Sequence, residues 1–307
     1  MRIRNGRADM ADGAQDKIEI PQEVFRLYDA YCHGDLSRRA FFSRLSAYAG
    51  GGITVSMLAA CVMPDYSQAQ TVTGEADLIE EEITYASPDG AGTMGGYLVR
   101  PANATGPLPA ILVIHENRGL NPYIRDVTRR AAKAGYVALG PDALYPLGGY
   151  PGNDDDGRTL QAERTREAMF ADFVAGAEFL RAHEAVDGNV GVTGFCFGGA
   201  MANQLAVSLP WLKASVPYYG GWPAAEEAAN LAVPLQIHLA SDDPRVNEGW
   251  VPYEAALKAA GKAYELHWYD GTQHGFHNDT TPRFNPEAAA LAWSRTLDFF
   301  GKHLRGS

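Results

Sequence analysis

The stretch Asn189-Val190-Gly191-Val192-Thr193-Gly194-Phe195-Cys196-Phe197-Gly198-Gly199 decides the architecture. A short apolar strand runs into a cysteine flanked by glycines. Small residues, Ala200-Met201-Ala202-Asn203, then open a helix. The glycines meet a physical demand. The central residue sits on a sharp, strained turn, and a Cβ on either flank would clash with the neighbouring strand and helix. The helix that begins there aims its first amides at Cys196, which favours a thiolate and a developing oxyanion. The plain alternative is a structural cysteine buried in a strand-to-helix turn, and the surrounding chain has to decide between the two.

Working outward, short apolar runs alternate with helical patterns. The runs are 110–114, 136–139, 190–193, 214–217, 235–239 and 264–269. The helical patterns lie near 122–134, 161–184, 199–208, 249–260 and 287–303. Continuous apolar strands separated by helices indicate a mostly parallel sheet covered on both faces. Upstream, 79–85 and 95–100 flank Ser87-Pro88-Asp89-Gly90 and read as a hairpin. In such sheets, functional groups gather at the carboxyl ends of the strands. Strand, Gly-x-Cys-x-Gly, then helix is the nucleophile elbow of the α/β-hydrolase fold with Cys in place of Ser. The expected fold class is therefore α/β, an α/β-hydrolase sheet at 73–307, with a helical N-terminal extension at 1–72.

That fold orders its triad as nucleophile, acid, histidine. Five histidines follow Cys196, and the candidates are His238, His267, His274 and His303. His238 and His267 lie inside apolar strand runs and read as core or sheet-face residues. His303 belongs to the terminal helix and reads as exposed. His274 sits in Asp270-Gly271-Thr272-Gln273-His274-Gly275-Phe276, directly after the last strand, where a general base must sit. The acid should follow 235–239, where Asp242 and Asp243 stand together. Spacing does not choose between them, turn capping is the role left for the other, and Asp270, in the histidine's own loop, is a weaker candidate. After 110–114 comes His115-Glu116-Asn117-Arg118-Gly119-Leu120-Asn121. In this fold that loop supplies one oxyanion amide and the residue after the nucleophile supplies the other. These are the backbone N–H groups of Asn117 and Phe197. Glu116, if close to Cys196, would set the thiol's protonation. The plain alternative for Glu116 and Arg118 is a surface ion pair of little worth.

Bulk properties narrow the field. Of 307 residues, 46% are hydrophobic, enough for a sizeable core. Lys and Arg number 26 against 37 Asp and Glu, a net charge of −11, so nucleic acid is not an expected partner. Three scattered cysteines, Cys32, Cys61 and Cys196, without CxxC spacing, suggest neither a disulfide framework nor a zinc site. No run has the length and apolarity of an ordinary membrane span.

Taken together, the HENRGLN loop, GFCFGG, SDDPRVN and QHGFHND resemble the dienelactone hydrolase (carboxymethylenebutenolidase-like) family from about residue 78 to the C-terminus. GGYPGNDD and HNDTTPRF look like a bacterial subgroup with an N-terminal extension. The resemblance selects Asp243 over Asp242. It implies a Cys196–His274–Asp243 triad, with Glu116 hydrogen-bonding the cysteine. It also implies a small ester or lactone substrate and no metal or organic cofactor. Dienelactone-specific members grip the substrate carboxylate with two arginines. At those positions this chain has Tyr145-Pro146-Leu147 and Asn278. Arg118, Arg245 and Arg283 remain to take over that grip, and Arg118 and Tyr145 are the candidate substrate-binding residues. Rival readings on the same scaffold are a thioesterase, a carboxylesterase for larger esters or a phosphotriester-cleaving enzyme. A redox-sensing cysteine module is the rival of another class, and it needs neither His274 nor Asp243.

Residues 1–16 read as a loose terminus, 21–33 as an amphipathic helix and 64–73 as a connector. Ser37-Arg38-Arg39-Ala40-Phe41-Phe42 resembles a twin-arginine export signal, and Leu58-Ala59-Ala60-Cys61 resembles a lipobox. Against export stand the distance of the arginines from the start, the partly acidic helix before them and the weakly apolar stretch after them. The reading adopted is a cytoplasmic protein with a retained extension that packs on the domain or on a second copy, as in a homodimer. Export with lipidation at Cys61 is the alternative.

Overall fold

The computed structural model of the protein describes residues 20–66 and 77–305. The terminus expected at 1–16 and most of the connector at 64–73 lie outside them. The chain divides into two units, Met1–Cys61 and Val62–Ser307.

The first unit holds α1 (Gln22–Cys32), α2 (Arg38–Leu45) and α3 (Val55–Ala60), with a 3-10 turn at Ser46–Tyr48. Ser37 caps α2 by accepting from the Ala40 amide, so Arg38 and Arg39 occupy its first turn. Tyr31 of α1 stacks on Phe41 of α2, with centroids 4.9 Å apart. Cys61 is the C-cap of α3.

The second unit is built on eight strands: β1 (Leu78–Ser87), β2 (Gly92–Pro101), β3 (Leu108–Ile114), β4 (Val137–Pro141), β5 (Val186–Phe195), β6 (Ala214–Tyr218), β7 (Gln236–Asp242) and β8 (Glu265–Gln273). They line up as β1-β2-β4-β3-β5-β6-β7-β8. The expected hairpin is there, with β1 antiparallel to β2 and Ser87 opposite Gly92. β2 meets β4 antiparallel, and every pairing from β4 to β8 is parallel. Among the described residues, no helix is long and apolar enough to cross a membrane.

Among the described residues this unit has six α-helices, α4 (Pro122–Lys133), α5 (Asp154–Ala162), α6 (Arg166–Ala182), α7 (Phe197–Ser208), α8 (Pro244–Ala259) and α9 (Pro286–Leu304), and all but α5 contribute to the cores beside the sheet. The central strands are buried on both faces. β3 sends Ala110, Leu112 and Ile114 into one core with residues of α6, α7 and α8. Ile111 and Val113 enter a second core with α4 and α9. This two-sided burial explains the unbroken apolar runs.

One expected element is corrected. The helix read near 161–184 starts later, as α6, because Thr165 caps its start by accepting from the Ala168 amide, and residues 161 and 162 end the separate helix α5. The preceding α5 is mostly polar, with Asn153 as cap and Asp154, Asp155 and Asp156 in its first turn. Its signal is capping and dipole chemistry, which apolar periodicity does not detect.

Candidate active site

β5 delivers Cys196 to a corner with no room for a Cβ at Gly194 or Gly198. Cys196 has φ 55° and ψ −111°, a conformation that side-chain-bearing residues rarely adopt. A Cβ on Gly194 would stand 2.1 Å from the Gly198 carbonyl oxygen. One on Gly198 would stand 2.2 Å from that of Ile114. Bare glycine lets the start of α7 press against the end of β3. Ile114 pairs with Gly194, so the loop after β3 emerges beside the cysteine. Phe197 is the first residue of α7, and its amide belongs to the turn that lacks intrahelical acceptors.

His274 follows β8 and Asp243 follows β7. His274 Nδ1 meets Asp243 Oδ2 at 2.6 Å, and both side chains are buried. Cys196 Sγ and a His274 ring nitrogen lie within 4.8 Å of each other. Burial opposes an imidazolium here, but Asp243 and Cys196 outweigh it and raise His274 to about 10. Asp243 also caps α8, with Oδ1 accepting from the Val246 amide at 3.4 Å. Orienting the histidine and capping the turn thus fall to one carboxylate, while Asp242 ends β7 opposite Gln273. Arg245, the second residue of α8, brings Nη2 to 3.3 Å from His274 Nδ1.

His115 pins the loop that carries Glu116. Its Nδ1 donates to the Glu116 carbonyl at 2.5 Å, and its Nε2 accepts from the Ala143 amide at 3.0 Å. One nitrogen donates and the other accepts, so the ring is neutral, as burial also favours. The Glu116 and Arg118 side chains are only 3% exposed, which removes the surface-pair reading. Arg118 Nη1 donates to Asp154 at 2.5 Å, and its Nε lies 3.7 Å from Glu116 Oε2. Asn278 Nδ2 donates to the same Glu116 oxygen at 3.0 Å. Burial raises the Glu116 pKa, Arg118 lowers it, the Cys196 charge raises it and Arg283 lowers it.

The remaining candidates fall in different places. Asn117 is half-buried in the loop after β3. Tyr145 is 42% exposed and lines a cavity of about 400 Å³ with Tyr150, Arg125 and Asp142; Cys196 and His274 are not among its walls. His238 is fully buried in β7 and bonds Tyr269, as a core histidine should. His303 is half-buried against Phe299 rather than exposed.

Sequence reasoning missed Tyr219. It is buried with φ 36°, directly after β6, and its ring packs on His274 with centroids 5.0 Å apart. Burial raises its phenol, and the charges of Glu116 and Cys196 raise it further. Its position at a strand's carboxyl end, before Gly220-Gly221, was the available signal. Asn278 was noted only as a missing arginine, yet it is a direct partner of Glu116.

Comparison with known proteins gives concordant matches. A model of the dienelactone hydrolase family matches residues 94–304, and a model described as YqhI-like matches residues 14–50. The "Putative hydrolase fragment YghX" of Escherichia coli K12 is 57% identical over 101 residues, 33% of this chain and 86% of that one. The "Probable 2-oxo-3-(5-oxofuran-2-ylidene)propanoate lactonase" of a Bradyrhizobium species is 32% identical over 231 residues, 68% of this chain and 90% of that one. The crystal structure of a "Putative Dienelactone Hydrolase" from Klebsiella pneumoniae matches with TM-score 0.64 at 28% identity, over 73% of this chain and 99% of that one.

Proposed function

Because the chain belongs to the dienelactone hydrolase family and is a hydrolase of ester or lactone bonds, we propose that it works through a Cys196–His274–Asp243 triad and an acyl-enzyme. The observation that carries this reading is the 2.6 Å bond from His274 to Asp243, on a ring that also lies within 4.8 Å of the Cys196 sulfur.

In the reactive pair an imidazolium stands beside a thiolate, with Asp243 and the sulfur's charge both favouring the proton on His274. The sulfur attacks the carbonyl carbon, and the carbonyl electrons move to oxygen. The Phe197 and Asn117 amides hold that oxyanion. Collapse expels the alkoxide, which takes the proton from His274 Nε2 and leaves a thioester. Acylation removes the sulfur's negative charge, one of the groups that raised His274. The imidazole then accepts a proton from water, hydroxide attacks the thioester and the thiolate departs. Asp243 keeps Nδ1 as the donor toward itself throughout. With the sulfur a thiolate, the one proton of the Glu116–Cys196 pair is on Glu116, whose pKa is raised by burial and by the Cys196 charge, and a second proton, on the sulfur, silences the pair.

Thiolates attack activated esters readily and unactivated amides poorly. Small lactones and aryl esters are therefore the substrate class, with p-nitrophenyl acetate a suitable probe. The test is a panel of esters and lactones with wild type and Cys196→Ala. We expect the variant to lose turnover by about three orders of magnitude or more. Wild-type mass spectra under turnover should show an acylated Cys196. Undiminished hydrolysis by Cys196→Ala would end this reading.

A further inference from the structure

Residues 62–66 precede the stretch matched by the family, yet they reach the groups that hold Glu116. The Asp65 amide donates to the Thr280 carbonyl at 2.6 Å. Thr280 donates to Asn278 Oδ1 through its amide and its hydroxyl, at 3.1 and 2.6 Å. Asn278 closes that path on Glu116.

A second path starts at Tyr66. Its ring packs against the core that contains α4 and lies edge-on to Tyr150. Its hydroxyl accepts from Asn121 Nδ2 at 2.8 Å and donates to Asp154 Oδ1 at 2.6 Å. The other oxygen of Asp154 accepts from Arg118 at 2.5 Å, and Arg118 stands beside Glu116. One oxygen of this nearly buried carboxylate takes two phenols, Tyr66 at 2.6 Å and Tyr150 at the longer 3.2 Å, and the other takes the guanidinium. A buried cation moves toward whichever anion is less satisfied by other donors, so the phenol bears on where Arg118 sits.

We propose that Tyr66 is a positioning residue for the hydrolase: by sharing Asp154 with Arg118, it fixes the Arg118 guanidinium beside Glu116 and hence beside the thiol. The proposal rests on the roles given to Cys196 and Glu116 above. Glu116 is faced by Arg118 from its own loop, Cys196 from the elbow and Asp154 from α5. Arg283 and Asn278 face it from the segment after β8, and the phenols of Tyr123 and Tyr219 from α4 and the end of β6.

Two substitutions in the full chain test it. Tyr66→Phe keeps the ring and removes the hydroxyl. Asp154, left with only the longer Tyr150 bond on that oxygen, draws Arg118 toward itself and away from Glu116. The acid limb of kcat/KM, set by the second proton on the Glu116–Cys196 pair, should then rise by about one pH unit. Asp154→Asn removes an anion and leaves Arg118 to Glu116, so the same limb should fall. A residue that merely packs would lower activity without opposite shifts. Profiles are taken with p-nitrophenyl acetate and, in parallel, as the rate of Cys196 alkylation by iodoacetamide read by mass spectrometry. Opposite displacements in the alkylation profile support the proposal. Unmoved limbs in both variants, or displacements of one sign, overturn it. Alkylation needs no turnover, so it still judges Tyr66 if Cys196→Ala shows that hydrolysis does not depend on the thiol.

Discussion

His274 keeps a proton in a buried site because its two partners are worth more to the charged ring than water would be. That has a consequence for stability. Its pKa is raised from 6.5 to about 10 on folding. Between those values the folded state binds a proton that the unfolded state has lost, so stability falls as pH rises. The contribution is whole below the unfolded value of 6.5 and gone once pH has passed the folded value of about 10. Asp243→Asn removes the main raising partner. Urea unfolding across that window should show a flatter decline in the variant than in wild type, and parallel declines would contradict the assignment. The same substitution should lower kcat by about three orders of magnitude, because the carboxamide can turn its NH2 toward Nδ1 and hold the imidazole in the wrong tautomer.

At the scale of elements, the elbow depends on two backbone surfaces touching without side chains between them. A methyl on Gly198 would meet the carbonyl oxygens of Ile114 at 2.2 Å and His115 at 2.6 Å. Ile114 ends a central strand buried on each face and His115 is the buried residue that follows it, so neither can yield cheaply. Gly198→Ala should cost about 3 kcal/mol, read as a lower urea midpoint at unchanged slope; a midpoint within error of wild type would show that β3 gives way. The reason this element was legible in the sequence is the same steric demand, since little besides glycine satisfies it. The strands were legible too, because burial on both faces leaves unbroken apolar runs. The start of α6 was not, because a single hydroxyl, Thr165, breaks a pattern that otherwise reads as continuous. Nor was α5, whose stabilising features are polar.

Over the whole molecule, the site gathers Glu116, Cys196, Asp243 and His274 from the ends of β3, β5, β7 and β8. Strand order and parallel pairing force those ends together, so the sequence could disclose the gathering without any contact being known. Contacts between loops follow no such rule. Arg118 meeting Asp154, or Tyr66 reaching both Asp154 and Asn121, joins segments that periodicity treats as independent. Asp172 is the plainest case away from the site. It lies midway along α6 with 0% exposure, where a carboxylate is out of place by pattern alone. The structure gives its reason: it accepts from Ser87 Oγ at 2.6 Å, the Ala91 amide at 2.9 Å and Arg164 Nη2 at 2.6 Å. One buried anion thereby ties the β1–β2 turn to the helix behind the sheet. Asp172→Ala would leave the guanidinium and the serine hydroxyl buried without their acceptor, a loss of about 3–5 kcal/mol. Asp172→Asn retains an acceptor oxygen and should lose less. Urea midpoints rank the two, and amide exchange at the turn should accelerate in Asp172→Ala before it does in the central strands. Equal midpoints for wild type and Asp172→Ala would mean that the hairpin is held by strand pairing alone.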